Sequence, residues 1–429
     1  MLSVGVAGGG IGGLSCAIHL ARAAHDVTIL EQKSSYTEAN SGGGINLTPN
    51  ALRCLSVLLG EDTLRSIVDE SDTGYVRRHS DGAVVNTVAS TPRGMAHRQD
   101  ILLALLEAAK ACGVKILYGV TVEGFYEDSD SVQLAGSCTR AFDLLIGGDG
   151  INSRVRTVMF SPRSLEAAPT GARTFLVTVP EQAMLAHEST AELYEHGKRP
   201  FEHWLGPERV IIAWTMTRRR VHHLQFCDFN ADWAVGEIGH DKRWSRRVDD
   251  MTALRERWQD FAEGIRRILD LAFDCVEWRI AEVPELPTWS TPGGRIVLIG
   301  DAAHAIAPFA GQGACMALED ATVLGLLLAR NVSKGDVVQT VRTYETLRRP
   351  RIDTMRRIVH ANTQAYSALN VDGSVFFGRH AQPTVGGDDS TPWTTERQMG
   401  WITSYDAFAE VAGLQQIEVL QKTRVPPMA

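Results

Sequence analysis

Short apolar runs alternate with amphipathic helical stretches at both ends of the chain, and longer β-rich runs lie between them. Ser3 to Ala7 (SVGVA) is a compact apolar run, Leu14 to Ala24 carries apolar residues at helical spacing, and Asp26 to Leu30 (DVTIL) is a second strand of buried type. Ala51 to Leu59, Asp62 to Val68 and Asp100 to Ala111 (DILLALLEAAKA) are predicted helices. Val114 to Tyr118, Val120 to Tyr126 and Phe142 to Gly147 are predicted strands. Between Arg173 and Pro284 the runs lengthen, as in Arg209 to Thr217 (RVIIAWTMT) and Val221 to Asp228, followed by a helical Met251 to Ala272. Arg295 to Gly300 (RIVLIG) is again a buried, parallel-type strand, and Gln312 to Arg330 and Val337 to Ala365 are predicted long helices. The chain therefore leaves an α/β unit and comes back to it.

The turn after the first strand is the most informative local feature. Gly8 permits a tight turn, Gly10 lets the backbone approach a pyrophosphate, Gly13 lets the following helix lie close on the strand, and Ile11 among them is an expected cofactor-binding residue. Free N–H groups at the helix N-terminus favour a phosphate. The second strand ends in Glu31, whose carboxylate suits a ribose diol and disfavours a 2′-phosphate, so NADP is an unsuitable resident. Two later strings, GGDGINSRVR (Gly147 to Arg156) and IGDAAHAIAPFAGQG (Ile299 to Gly313), complete a pocket for one large dinucleotide, FAD. The expected architecture is a Rossmann-like FAD-binding domain from residues 1–74, 97–170 and 285–370, interleaved with a β-rich substrate domain from 75–96 and 171–284. A C-terminal segment, 371–429, follows, with Gly373 to Gln398 read as a connection rich in Gly, Asp, Thr and Pro.

Composition narrows the class further. The 429 residues are 44% hydrophobic, enough for an extended core, and the formal charge of −8 gives no reason to expect nucleic acid or an anionic membrane as partner. Seven scattered cysteines without a CxxC pair read as reduced core thiols, with no metal site. No apolar stretch approaches the roughly 20 residues a membrane-spanning helix needs. A soluble, cytoplasmic protein, monomer or homodimer, is expected.

Several strings together carry a resemblance. GGGIGGL with Glu31, the run from Gly44 to Leu55, His97-Arg98 ahead of a helix, DGINSRVR, and GDAAHAIAPFAGQG followed by Glu319-Asp320 resemble the single-component flavoprotein aromatic hydroxylases, the group of para-hydroxybenzoate and salicylate hydroxylases. The likeness spans roughly residues 1 to 365. It implies that Asp301 meets hydroxyls of FAD, that the Gly311-Gln312-Gly313 turn opens a helix facing the flavin, and that Arg53 and Arg98 contact its phosphates or ribityl chain. Asp149 and Gly150 would form a tight turn used by FAD and by the nicotinamide cofactor, with Pro308 near the flavin's reactive edge and His304 beneath it. Only one complete dinucleotide fingerprint is present, so NAD(P)H is expected as a transient visitor. The resemblance implies reduction of FAD by NAD(P)H, reaction with O2 to a flavin C4a-hydroperoxide, and oxygen transfer to an aromatic or heteroaromatic small molecule.

The substrate side is less determined. Asn46 stands where some relatives carry a histidine or glutamine, and Val210 and Ala213-Trp214 replace a His and a Tyr-Pro pair that follow a Trp-Leu-Gly-Pro-like stretch in salicylate-hydroxylase relatives. Arg173 matches an arginine that some fungal relatives point at the substrate, so it is the expected catalytic or anchoring cation, or else one half of a structural ion pair. His203 and Trp214 are candidate pocket residues. Two other functions stay open: epoxidation of an indole or alkene, which needs no phenol-deprotonating base, and a non-catalytic flavoprotein that senses redox state or a ligand.

Overall fold

The structure is a computed structural model that describes residues 1–36, 43–126, 131–134, 138–163, 165–194, 200–230, 244–329, 333–369 and 396–414. Most of the expected connection from Gly373 to Gln398 therefore lies outside the described residues.

The first strand β1 (Ser3–Ala7) feeds helix α1 (Ile11–Arg22), which returns to β2 (Asp26–Glu31). Then come β3 (Gly44–Leu47), α2 (Pro49–Leu59), the long antiparallel pair β4 (Asp69–Arg78) and β5 (Val84–His97), α3 (Arg98–Ala111) and β6 (Lys115–Tyr118). A small three-stranded antiparallel sheet, β7 (Val122–Tyr126), β8 (Ser131–Leu134) and β9 (Cys138–Ala141), precedes β10 (Leu144–Gly147) and helix α4 (Arg154–Phe160). The β-rich stretch supplies β11 (Ala168–Pro180), β12 (Phe201–Gly206), β13 (Arg209–Met216), β14 (Val221–Asp228), β15 (Ser245–Arg247) and β16 (Asp274–Glu282). The return brings β17 (Ile296–Leu298), α5 (Asp301–His304), α6 (Gly313–Leu328), the 31-residue α7 (Val337–Ser367) and α8 (Glu396–Ser404).

Strands β17, β10, β1, β2 and β6 form a five-stranded sheet in that order, and every pairing in it is parallel. Val4, Val6, Ile29, Leu144, Ile146 and Val297 are fully buried, as strands covered on both faces require. Helix α1 lies between this sheet and α6, and the approach is close enough that a side chain at Gly325 would strike His19. The expected α/β fold, a Rossmann-like unit with a β-rich sheet beside it, is the observed one.

A nine-stranded sheet, β15-β16-β11-β14-β13-β12-β4-β5-β3, makes the second layer. It takes in Asp69–Arg78 and Val84–His97 as a ribbon, with β3 on its far edge. Alternation along its strands divides its residues between two faces. Phe175, Val177, Ile211, Leu224 and Phe226 meet an apolar cluster with Trp258, Ile265 and Ile268 on one face. Thr174, Leu176, Ile212, Trp214 and Gln225 line a cavity on the other.

One element differs from expectation. The helical stretch from Met251 to Ala272 is two helices, Thr252–Arg257 and Glu263–Leu271. Trp258 and Phe261, both buried with ring centroids 4.7 Å apart, fill the space under Arg209, and the Ala262 N–H bonds the His79 carbonyl at 2.7 Å. Burying two aromatics on one turn outweighs helix continuation.

Four histidines are held neutral chiefly by burial, assisted by Arg93 at His203, Arg22 at His19 and Arg77 at His222: His203 and His223 near pKa 3, His19 and His222 near 4. A histidine of lowered folded pKa binds fewer protons folded than unfolded, so it destabilises the fold as pH drops below about 6.5. Denaturant midpoints should therefore fall steeply from pH 7.5 to 5.5, by on the order of 1 kcal/mol per such histidine. A midpoint flat across that range would contradict the burial of these rings.

Candidate functional site

A cavity of about 380 Å³ runs between the two sheets, reaching from the β1–α1 turn to the face of the large sheet. At one end stand Gly10 and Ile11, the 148–151 turn, and Gly300 with Asp301. Along one wall run Gly44–Asn46 of β3 and the turn from Pro308 to Gly313. The far end is aromatic, with Phe201, Trp214, Phe309 and Tyr366, while Trp278 lines the cavity from β16, beside β15.

The glycines of the first turn separate into two kinds. A Cβ on Gly13 would collide with the Gly8 carbonyl oxygen, and one on Gly8, whose φ is +91°, would meet the Gly148 carbonyl oxygen at 2.6 Å. Those two are required by the fold. Gly10 has an ordinary φ of −76°, and a Cβ there would meet no protein atom within 4 Å. Nothing in the protein calls for glycine at 10, so the open space beside it, at the N-terminus of α1, fits a phosphate group of a bound dinucleotide. Glu31 is buried at the end of β2, with one carboxylate oxygen accepting from the Gly9 N–H at 2.7 Å and the other from the Lys33 N–H at 2.9 Å. Tyr36 caps the same corner by donating to the Gly9 carbonyl at 3.0 Å.

Arg98 begins α3 and faces the cavity, and its guanidinium makes no hydrogen bond or ion pair among the described residues. Burial lowers its pKa and Asp301 opposes that shift. Asp301 opens onto the cavity; desolvation raises its pKa, countered by His304 and Arg98. A half-buried cation with unused donors and a carboxylate with unused acceptors fit the phosphate and hydroxyl groups of FAD.

The turn before α6 is shaped by Gly311 at φ +63°, where a Cβ would crowd Asn46 Nδ2 at 3.3 Å. Gln312 turns its side chain away, its Nε2 donating to Thr48 Oγ1 at 3.0 Å, so the turn from Gly311 to Gly313 offers its backbone to the cavity. Pro308, Asn46, His203 and Trp214 all line the cavity.

Besides Gly8, Gly13 and Glu31, which sit behind the first turn, three expected site residues do not line the cavity. Arg53 donates through Nη2 to the carbonyl oxygens of Thr403 and Tyr405 and pairs loosely with Asp406, so it holds the C-terminal segment and does not reach the cavity. Arg173 falls on the helix-covered side of β11, in step with Phe175 and opposite to Thr174 and Leu176. It is bound to Glu277 at 2.7 Å, a carboxylate shared with Arg246. Of the expected alternatives, the structural ion pair is the observed one. Asp149 caps α4, accepting from Ser153 Oγ at 2.5 Å and from the N–H groups of Arg154 and Val155 at 2.7 and 3.1 Å; its neighbours Gly148 and Gly150 line the cavity in its place.

Arg93, Phe201, Trp278 and Tyr366 line the cavity and were not anticipated. For Arg93 a signal existed: it shares strand parity with Met95, which is fully buried. Among the described residues no cluster of His, Cys, Asp and Glu is placed to hold a metal ion, and no helix is long and apolar enough to cross a membrane.

A parallel sheet with a phosphate-type turn, joined across a cleft to a mixed, largely antiparallel sheet with an aromatic chamber, defines a flavin-dependent protein class. Residues 1–358 match the family described as "FAD binding domain". An FAD-dependent monooxygenase of Beauveria bassiana is 26% identical over 420 residues, covering 94% of this chain and 95% of the relative. 6-Hydroxynicotinate 3-monooxygenase of Bordetella bronchiseptica is 26% identical over 400 residues, covering 90% and 97%. The structure of a salicylate hydroxylase substrate complex superposes with a TM-score of 0.77 at 22% identity, covering 96% and 97%. The chain belongs to the FAD-binding domain family. Its cofactor is FAD, and it is an FAD-dependent monooxygenase.

The two kinds of glycine give a sharp test. Gly10→Val is expected to fold, with a melting temperature of the FAD-free protein within a few degrees of wild type, and to purify without flavin; Gly13→Ala is expected to misfold. Arg98→Met should weaken FAD binding by about 10- to 100-fold in equilibrium dialysis, the worth of a charge-assisted hydrogen bond. Arg53→Met should leave FAD affinity nearly unchanged and lower thermal stability. Loss of flavin from Arg53→Met with retention in Arg98→Met would reverse the assignment.

Proposed function

We propose that this enzyme hydroxylates an aromatic or heteroaromatic small molecule, with O2 as co-substrate and NAD(P)H as a transient electron donor. The observation that carries the reading is the continuity of one cavity from the glycine turn, Arg98 and Asp301 to the chamber lined by Phe201, Trp214 and Tyr366. Relatives named for 6-hydroxynicotinate and 3-hydroxybenzoate support a hydroxylated six-membered ring as the acceptor.

Gly10, Arg98, Asp301 and the turn from Gly311 to Gly313 would hold FAD. When bound, FAD supplies electron transfer from the nicotinamide donor and activation of O2. The rest belongs to the chain's own groups. The N-terminus of α6 directs its free N–H groups toward the wall formed by Gly311 to Gly313, a setting that favours negative charge. Phe309 and Tyr366 pack with Phe229, centroids 4.7 to 6.5 Å apart, and make an apolar end wall that keeps water from the ring. His203, neutral near pH 7 because burial and Arg93 lower its pKa to about 3, can orient a ring hydroxyl but stores no proton. Asn46 Oδ1 is buried without a hydrogen-bond partner among the described residues and is suited to accept from such a hydroxyl.

Oxidation of NADH and NADPH by the FAD-loaded protein, with a panel of phenols, hydroxybenzoates, hydroxypyridines and indoles, tests this. The expected result is stimulation by one ring class with a product heavier by one oxygen. Stimulation without product, or product only from indoles as an epoxide-derived species, would contradict hydroxylation.

A further inference from the structure

The floor of the chamber holds an amide that the protein leaves unused. Gln225 stands on β14 on the face opposite to Leu224 and Phe226, half-buried and lining the cavity. Its side chain makes no hydrogen bond among the described residues; only its backbone carbonyl is engaged, by Cys227 Sγ at 3.8 Å. The floor around this amide is uncharged. Its cross-strand neighbours are Leu176 of β11 and Ile212 of β13. Two residues away on β14, burial holds His223 neutral with a pKa near 3 and pushes the Cys227 thiol up to about 12.

A carboxamide presents an N–H donor beside a C=O acceptor, and once a ligand displaces water from such a floor, each is costly to leave unpaired. The group that complements both in one plane is a lactam, a ring N–H next to a ring C=O, which meets an amide through two parallel hydrogen bonds. A carboxylate offers acceptors only, and a phenol carries its donor and acceptor on one atom, which spans the amide edge poorly.

The fold brings further uncharged partners to the same chamber. Edge strand β3 is folded back over the middle of the sheet: the Gly44 N–H donates to His223 Nε2 at 3.2 Å, and a Cβ on Gly44 would meet the Trp214 ring at 2.4 Å. Asn46 and Gln225 each lie two residues from that crossing, about 7 Å of strand. Trp214 Nε1 and Asn46 Oδ1 are buried without a hydrogen-bond partner among the described residues, a donor and an acceptor suited to a second oxygen on the ligand.

We propose that Gln225 is the specificity-determining residue of this enzyme and pairs, amide to amide, with the lactam of a nitrogen heteroaromatic, the pyridone form of a hydroxypyridine or a fused-ring analogue. This rests on the hydroxylation reading and narrows its ring to one that carries N–H beside C=O. A second ring oxygen, where the substrate has one, lies toward Trp214 Nε1 and Asn46.

Binding is measured on the FAD-loaded protein, without electron donor, by calorimetry and by perturbation of the flavin spectrum. The probes are 2-pyridone, 2-quinolone and 4(3H)-quinazolinone, each against its N-methyl counterpart, which keeps the carbonyl and loses the donor. At least one lactam should bind about 10-fold or more tightly than its N-methyl form, as two hydrogen bonds in a dry site allow. Gln225→Leu should abolish most of that preference while leaving FAD content, and the N-methyl ligand's Kd, within about threefold of wild type. Gln225→Glu keeps an acceptor for the ring N–H but sets a carboxylate against the ring carbonyl, so it should weaken the lactam at least as much. No lactam preference in the wild type, or an undiminished one in both variants, overturns the proposal. Loss of flavin from Gln225→Leu also overturns it, since the amide would then serve the cofactor. The two readings fail separately: a Gln225-dependent preference without oxygenated product would sink hydroxylation alone, and oxygenation of carbocyclic phenols without lactam preference would sink the Gln225 assignment alone.

Discussion

A fully buried node of charge behind the cofactor wall holds the site together. Glu319 and Asp320 are adjacent on α6 with no exposed surface, and Arg348 of α7 reaches both at 2.8 Å. Burial alone would push the Asp320 carboxyl up, yet His304 and Arg348 hold it well below the usual carboxylate range. From this node two arms extend. Asp320 Oδ2 accepts from the Gly300 N–H at 2.9 Å and from His304 Nε2 at 2.6 Å, fixing the turn that presents Asp301. Glu319 Oε1 accepts from Asn50 Nδ2 at 2.7 Å, and Asn50 also meets Gln312, fixing the turn into α6. Breaking such a pair leaves an uncompensated buried charge, about 3–5 kcal/mol, so the node is rigid.

The same node reaches the C-terminal segment. Arg351 binds Glu319 through two nitrogens at 2.7 and 2.8 Å, donates to the Ile402 carbonyl at 2.9 Å, and lies 4.0 Å from the Tyr405 ring centroid. Arg53 grips the following carbonyls. Residues beyond α7 therefore dock on the rear of the cofactor wall. The front is shaped by the large sheet, whose two faces divide the labour: one is sealed by helices around Trp258, and the other is left as the chamber wall.

What the sequence showed clearly was local. The strand, glycine turn, helix and terminal Glu31 are contiguous in the chain, and their geometry follows from backbone requirements at Gly8 and Gly13 that no distant partner alters. The order of the later strings carried the family in the same way. The errors share one cause: a side chain's partner comes from far along the chain. Arg53 meets carbonyls some 350 residues away and Arg173 meets Glu277 104 residues away, and neither partner leaves a mark beside the arginine. Asp149 was misplaced for a different reason: its carboxylate folds back onto Ser153 and the first N–H groups of the next helix, a use that the turn's residue types do not announce. Arg93 was overlooked because a single cation in a strand resembles any surface residue until the strand's parity is fixed by Met95.

The central claim is that one continuous cavity brings FAD and an aromatic ring together for insertion of an oxygen atom from O2. Its most direct measurement is the isotopic mass of the product formed under 18O2 in unlabelled water. Incorporation of one 18O atom into the ring product is the predicted result. Product with oxygen drawn from water, or consumption of 18O2 solely as hydrogen peroxide with every ring tested, would contradict it.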